Sequence, residues 1–449
     1  MKQTYLLALS FVLTLMVQPI HSQVNSPYSR YGFGTMTDRA MGFNKGMGGV
    51  ALGFHNGKQI NTSNPASYAY VDSLSALFDL GFSIQHANHK MGNLQQNAQN
   101  ASFDYFAFQF RGAKNLGVTL AVLPLTHINY SFSSSKEVLK ENENYSSNYA
   151  FSGEGGVHKA VLGLGWRPFK PLAIGVNGAF IWGDYTHNMN MQFNESSVYN
   201  LQRKYNANIN TYSVDFGLQY DMKFTKKDAL TLGLTYGLGH KINNKAYRQT
   251  NTLNSSTTIA QTVDTIRDAF ELPHSFGVGL TYSHSDKLRI GADFIMEQWG
   301  KAKFPSQDMN TSSGSTTPYQ SSTNQLNDMW KLAAGLDYCP NRESSKFFSH
   351  NIYRVGAFYS HSYAKADITN TISDKPYELG VSAGIGIPIT NKNIWHNSPC
   401  LNISAQWVHT VVPYLSASTM QKATLRENYF RLSIGLTFNE RWFYKWKVQ

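Results

Sequence analysis

Cysteine is nearly absent: the 449 residues hold two, Cys339 and Cys400. Two cysteines rule out a disulfide-stapled scaffold, and their spacing matches no zinc motif. Charge is scarce as well, at 15% Asp, Glu, Lys and Arg. The basic residues outnumber the acidic ones, for a net charge of +11, but they are scattered. A nucleic-acid-binding face needs them clustered, so nucleic acid is not an expected partner. Past the N-terminus no run of eighteen apolar residues exists, which excludes a transmembrane helix. Catalytic signatures are missing too. There is no HExxH, no GxSxG, no CxxC, and Gly46-Met47-Gly48-Gly49 lacks the GK[ST] ending of a phosphate loop. His86 and His89 lie three apart without further metal ligands. Neither an enzyme nor a metal or cofactor site is expected.

What is present starts with a leader. Lys2, an apolar stretch from Leu6 to Val17 and a small residue at Ser22 read as a secretory signal over residues 1–22, with Gln23 opening the mature chain. No cysteine stands at the cleavage point, so no lipoprotein anchor is expected. Export makes an oxidising compartment accessible, and a Cys339–Cys400 disulfide is permitted there, no more. Aromatics reach 14% of the chain (26 Tyr, 27 Phe, 8 Trp) beside 35 Gly, while mean hydropathy is only −0.35. A chain in which every second strand residue faces lipid, flanked by aromatic girdles, gives that balance.

The dominant pattern is alternation. Leu230, Leu232, Leu234, Tyr236 and Leu238 alternate with Thr231, Gly233, Thr235, Gly237 and Gly239. Leu379 to Ile389 and Phe430 to Phe438 do the same, as does Val214 to Tyr220. Period two specifies strands with one apolar face. Alone it does not separate a membrane barrel from a soluble sandwich. Segment count and spacing favour the barrel. Fourteen strands are predicted between residues 74 and 438, an even number. Short turns such as Ala113-Lys114 and Thr225 to Lys227 alternate with long Asn-, Ser- and Thr-rich loops at 191–208, 243–272, 300–328 and 413–427. The expected fold is therefore all-β: a transmembrane antiparallel barrel of about 14 strands over residues 73–438.

Residues 23–72 do not alternate. They are rich in Gly, Asn and Met, and either form a disordered leader or fold as a plug inside the barrel. The plug is preferred, because Phe33, Met47, Val50, Leu52 and Phe54 need somewhere to bury. Asp215, Asp293, Glu297 and Asp337 are expected on lumen-facing positions, most simply as solvated lumen polarity, with a ligand-orienting role as the sharper reading. Pro124 interrupts a long strand from Val118 to Tyr130 and cannot donate to the ladder. It marks either a tolerated bulge at the rim or a sideways opening in the wall. Residues 439–449 (Trp442, Phe443, Tyr444 and Trp446 among Arg and Lys) either extend the last strand or form an interfacial anchor.

Several motifs then resemble the FadL family of outer-membrane channels for long-chain fatty acids and other hydrophobic compounds. Asn64-Pro65-Ala66 followed by Ala69 to Asp72 looks like the NPA motif where plug meets first strand. Leu272-Pro273-His274-Ser275 is similar to the family's LP-starting hairpin, and Trp330 to Tyr338 with Tyr353 to Tyr359 resembles the pair after it. The opening Ser26 to Gly34 looks like a Bacteroidota variant. The resemblance implies a fourteen-stranded barrel closed by an N-terminal hatch, placed in the Gram-negative outer membrane. It implies a ligand path along Phe33, Met47, Val50, Leu52, Phe54, Asn64 and Pro65, and a kinked third strand opening laterally at Pro124. The partners it implies are a hydrophobic small molecule, outer-membrane lipids and lipopolysaccharide, and the barrel-assembly machinery during biogenesis. The alternative is a non-transporting barrel that serves as scaffold or shuttle in protein secretion or in surface-glycan and lipopolysaccharide handling.

Overall fold

The structure is a computed structural model that describes residues 26–92, 94–140, 143–195, 198–255, 257–285, 287–306, 319–342, 344, 346–365, 375–389, 399–415 and 422–441. The expected signal peptide and the tail beyond Arg441 lie outside them. Fourteen antiparallel strands form the barrel. They are β1 (Ser75–Met91), β2 (Leu94–Ala113), β3 (Leu116–Lys140), β4 (Glu143–Phe169), β5 (Leu172–Phe193), β6 (Asn200–Lys223) and β7 (Asp228–Gly237), then β8 (Ser275–His284), β9 (Leu288–Glu297), β10 (Met329–Tyr338), β11 (Ile352–His361), β12 (Tyr377–Pro388), β13 (Cys400–Leu415) and β14 (Lys422–Arg441). Each pairs with its sequence neighbour, and β14 closes on β1 in one register from Ser75↔Arg441 to Met91↔Leu425. Asn439 to Arg441 therefore extend the last strand, the first of the two readings of that stretch.

Side-chain direction separates barrel from sandwich. Along β8, Phe276, Val278, Leu280 and Tyr282 are exposed, while Gly277, Gly279 and Thr281 are buried. Ile290, Leu332, Val355, Val381, Leu432 and Ile434 likewise face outward. A water-soluble sheet would bury that face; a barrel in hydrocarbon presents it. Closure of β14 on β1 also satisfies most of the wall's backbone from strand to strand.

Three of the expected long loops are largely strand. β5 runs to Phe193 and β6 starts at Asn200, so most of 191–208 belongs to the wall. Residues 243–272 form an outer hairpin, Lys245–Asn254 against Thr257–Arg267, whose first arm continues the ladder on β6. β13 and β14 extend through much of 413–427. Out there both faces meet water, so alternation disappears while the β-ladder continues. Asn-, Ser- and Thr-rich sequence then reads as loop.

Most of residues 26–72, hereafter the hatch, are buried, packed against inward-facing residues of the wall. The inner wall is shaped for them. A Cβ on Gly165 would sit 2.6 Å from the Pro65 carbonyl oxygen, and one on Gly435 would sit 2.6 Å from Gly42 Cα. Gly117, Gly175, Gly335 and Gly356 face the hatch backbone as closely or more so. Inward glycines thus form a belt in which the hatch main chain rests against the wall.

Candidate functional site

The hatch is anchored by the polar residues that alternation directs inward. Asp293 accepts backbone bonds from Ala51 N (2.6 Å) and Leu52 N (2.8 Å). Glu297 accepts from Trp299 Nε1 at 2.8 Å and pairs with Arg39 at 2.6 Å. Asp337 lies between Arg354 (3.1 Å) and Arg289 (3.4 Å), all three buried in the wall. These carboxylates are 3% exposed or less, so the expectation of solvated lumen polarity is corrected. They are dry groups held by specific partners, because the hatch excludes the water that would otherwise solvate them. Asp215 is the looser case, 3.7 Å from Lys159.

Each hatch residue singled out from sequence has a definite place. Asn64 caps the short turn Pro65–Tyr70 through its side-chain oxygen. Its amide donates to Leu52 O (2.8 Å) and to Leu218 O of β6 (3.2 Å), joining two hatch segments to the wall. Met47 backs onto Gly335 and Gly356, and Val50 packs near Ala333 and Phe358. Phe54 stacks on Phe43 at 4.9 Å, with the Arg289 guanidinium 4.5 Å from its ring centre. These four pack and anchor. Phe33, Leu52 and Pro65 instead reach a cavity of about 240 Å³ between the hatch and the wall.

That cavity reaches Pro124. The β2–β3 ladder runs from Ala113↔Leu116 only to Phe106↔Val122, two residues short of it. β3 continues to pair with β4 out to Lys140↔Glu143, and β2 stays paired with β1. From Leu123 outward, β3 no longer pairs with β2. Hatch residues Thr35–Met36 pair with Thr126–His127. Thr37 bonds through N to Leu125 O (2.9 Å) and through Oγ1 to Pro124 O (2.6 Å). Leu125 is the bulged residue, where the β4 register shifts between Pro124 and Thr126. Just beyond it, Gly156 and Gly155, the β4 partners of His127 and Ile128, hold φ of +146° and +125°, which only glycine adopts without strain. The glycine pair, readable as a break in alternation inside a strand, was missing from the sequence expectations. So were the hatch charges Asp38 and Arg39, which line the cavity with Lys331 and Lys159. Burial opposes the charge on Asp38, but Lys331, Lys45 and Arg431 outweigh it and lower its carboxyl to about 2.

The cavity is mixed in character. Met36, Leu123, Val157, Ile181, Ile209 and Trp299 supply apolar surface; Arg39–Glu297 and Asp38–Lys331 supply charge. No group of three or more His, Cys, Asp or Glu poised for a metal occurs among the described residues. Cys339 and Cys400 are buried free thiols, not a disulfide.

Comparison with solved structures gives the same architecture. The CymD monoaromatic hydrocarbon channel superposes with a TM-score of 0.57 at 13% identity, covering 90% of this chain and 98% of its own. A Pseudomonas aeruginosa FadL homologue gives 0.56 at 13%, covering 91% and 100%. The Ralstonia pickettii toluene transporter TbuX gives 0.53 at 14%, covering 89% and 97%. At such identity the likeness is one of fold. No curated relative matches the sequence. The family model described as BamG matches residues 1–449, and the chain therefore belongs to the BamG family, with a β-barrel fold like that of the FadL homologue.

Proposed function

We propose that this protein is an outer-membrane channel for passive uptake of hydrophobic small molecules such as long-chain fatty acids, with lateral exit at the kinked third strand. One observation carries the reading. The cavity behind Phe33 and Met36 reaches the place where β3 loses its β2 partner, beside Pro124. A ligand would bind mainly by burying apolar surface, worth about 25 cal/mol per Å², with the charged rim orienting a polar end. The similar solved structures include a monoaromatic hydrocarbon channel, a toluene transporter and a FadL homologue, which supports the ligand class.

The glycine belt and buried carboxylates make withdrawal of the whole hatch costly. The movement required is local: release of Thr35 to Thr37 from the β3 edge. After removal of residues 1–22, the chain would sit among outer-membrane lipids and lipopolysaccharide, inserted by the barrel-assembly machinery. No catalytic role is proposed. The test is uptake of a labelled long-chain fatty acid by proteoliposomes. Pro124→Val should lower it, and deletion of residues 24–60 should raise non-specific permeability. Normal uptake by Pro124→Val with unchanged permeability of the deletion would refute the reading.

A second reading has its own support. The outer arm Thr257–Arg267 is exposed along nearly its whole length, with Ile259 and Val263 about half exposed. That surface suits a scaffold or shuttle that docks an envelope protein or surface glycan without transport. A stably bound partner after purification, together with no uptake by the wild-type protein, would favour it.

A further inference from the structure

The wall carries a second seam. The ladder between β6 and β7 runs from Lys223↔Ala229 to Asp215↔Gly237. It resumes only at Ala207↔Ala246 in the outer hairpin. Across residues 208–214, β6 keeps its ladder with β5 but has none on its β7 side. The chain opposite leaves the wall: His240–Ile242 pairs with Phe270–Leu272 in a separate two-stranded sheet, with Ile242 and Phe270 fully buried inside. Three links span the seam. Leu238 N donates to Val214 O at 3.0 Å, and Asn244 Nδ2 donates to Asn208 O at 3.3 Å. Between them the His240 ring lies 2.9 Å (Nε2) from Thr211 Oγ1 and stacks on Tyr212 at 4.3 Å. A side-chain latch replaces the missing ladder.

The cavity reaches this seam. Ile209, Ser213, Leu238, Ile242, Leu272 and Pro273 line it, as do Leu123 to Thr126 at the first seam. Between the two runs an inward apolar strip of Val157, Ile181 and Ile209 on β4, β5 and β6, in which Val157 and Ile209 share the register partner Gly183. Three strand spacings separate β3 from β6, roughly 14 Å. Outside, Tyr212, Phe216 and Phe276 flank the seam and are exposed, as residues in contact with lipid are.

We propose that the β6–β7 seam is a second side opening of the cavity. It admits the chain of a single-chain amphiphile between lumen and bilayer, with His240 stacked on Tyr212 as its latch. The inference rests on the uptake reading. An apolar chain lying on the strip between the seams would leave its polar end at Arg39, Glu297 and Lys331.

The experiment uses the full chain, with Cys339→Ala and Cys400→Ala, in phospholipid vesicles. The probe is palmitate carrying a diazirine at its chain end, added to the membrane and photolysed, with adducts mapped by mass spectrometry. In one sample Thr211→Cys and His240→Cys are joined by a short bis-maleimide; in another His240→Ala removes the latch. Labelling of inward Ile209 and Ile242 is expected to fall several-fold on tethering and to rise in His240→Ala, while Leu123 stays labelled in both. Labelling of Ile209 and Ile242 that ignores both changes would overturn the second opening and leave the uptake reading standing. Absence of label from Leu123, Ile209 and Ile242 in the parent protein would overturn both.

Discussion

Gly165→Ala should loosen the hatch even though alanine suits a strand better than glycine. The added methyl would lie 2.6 Å from Pro65 O and 2.8 Å from both Ala69 N and Tyr68 Cβ. Ordinary contact is about 3.5 Å, and all three neighbours belong to one turn, so the turn must retreat by roughly 1 Å. Among the bonds that tie it to the wall are three close to the clash: Tyr68 OH to Asn177 Oδ1 (3.1 Å), Gln109 Nε2 to Tyr68 O (3.3 Å) and Asn64 Nδ2 to Leu218 O (3.2 Å). At about 0.5–1.5 kcal/mol each, their loss costs roughly 2–4 kcal/mol. Each 1.4 kcal/mol is a factor of about ten, so amide exchange by local opening should quicken roughly 30- to 1000-fold. Hydrogen exchange of the peptide spanning residues 61–71, in the detergent-solubilised full chain, reads this directly. Gly178→Ala is the control, since a Cβ there meets nothing within 4 Å. Equal protection in the two variants would refute the idea that inward glycines seat the hatch.

Gly156→Val should strain β4 beside the Leu125 bulge, opposite His127, by about 1–3 kcal/mol and reduce fatty-acid uptake as Pro124→Val does; full uptake would show that the kink is dispensable. Asp337→Leu leaves Arg289 and Arg354 without their shared carboxylate. It should destabilise the barrel by about 3–5 kcal/mol, seen as a gel-mobility shift from folded to unfolded at lower temperature; an unchanged transition would mean the pair is replaceable. Cys339 and Cys400 should stay as thiols after export, so that reduction leaves electrophoretic mobility unaltered and both alkylate only after unfolding. A non-reducible mass consistent with two free thiols is the expected readout, and a two-dalton deficit would contradict it.

Alternation made the strands legible. Leu230 to Leu238 and Phe430 to Phe438 declare one greasy face each, and fourteen such segments give an even, closed barrel. The same rule placed Asp293, Glu297 and Asp337 indoors. It could not show whether indoors meant wet or dry, because that depends on a hatch contributed from some 240 residues away in sequence. Pro124 was readable because proline lacks a donor wherever it stands. Gly155–Gly156, its structural complement, carries no meaning until β3 lies opposite.

Sequence by itself determined the class of fold, since period two follows from local chemistry; for residues 23–72 it offered a plug or a leader, and for Pro124 a tolerated bulge or an opening. Only the tertiary structure decided which glycines face the hatch, which carboxylates clamp it, and that the wall lapses a second time at residues 208–214. No local signal marks that lapse. β6 reads as unbroken strand there, and the gap arises because its neighbour turns inward to bury Ile242 and Phe270.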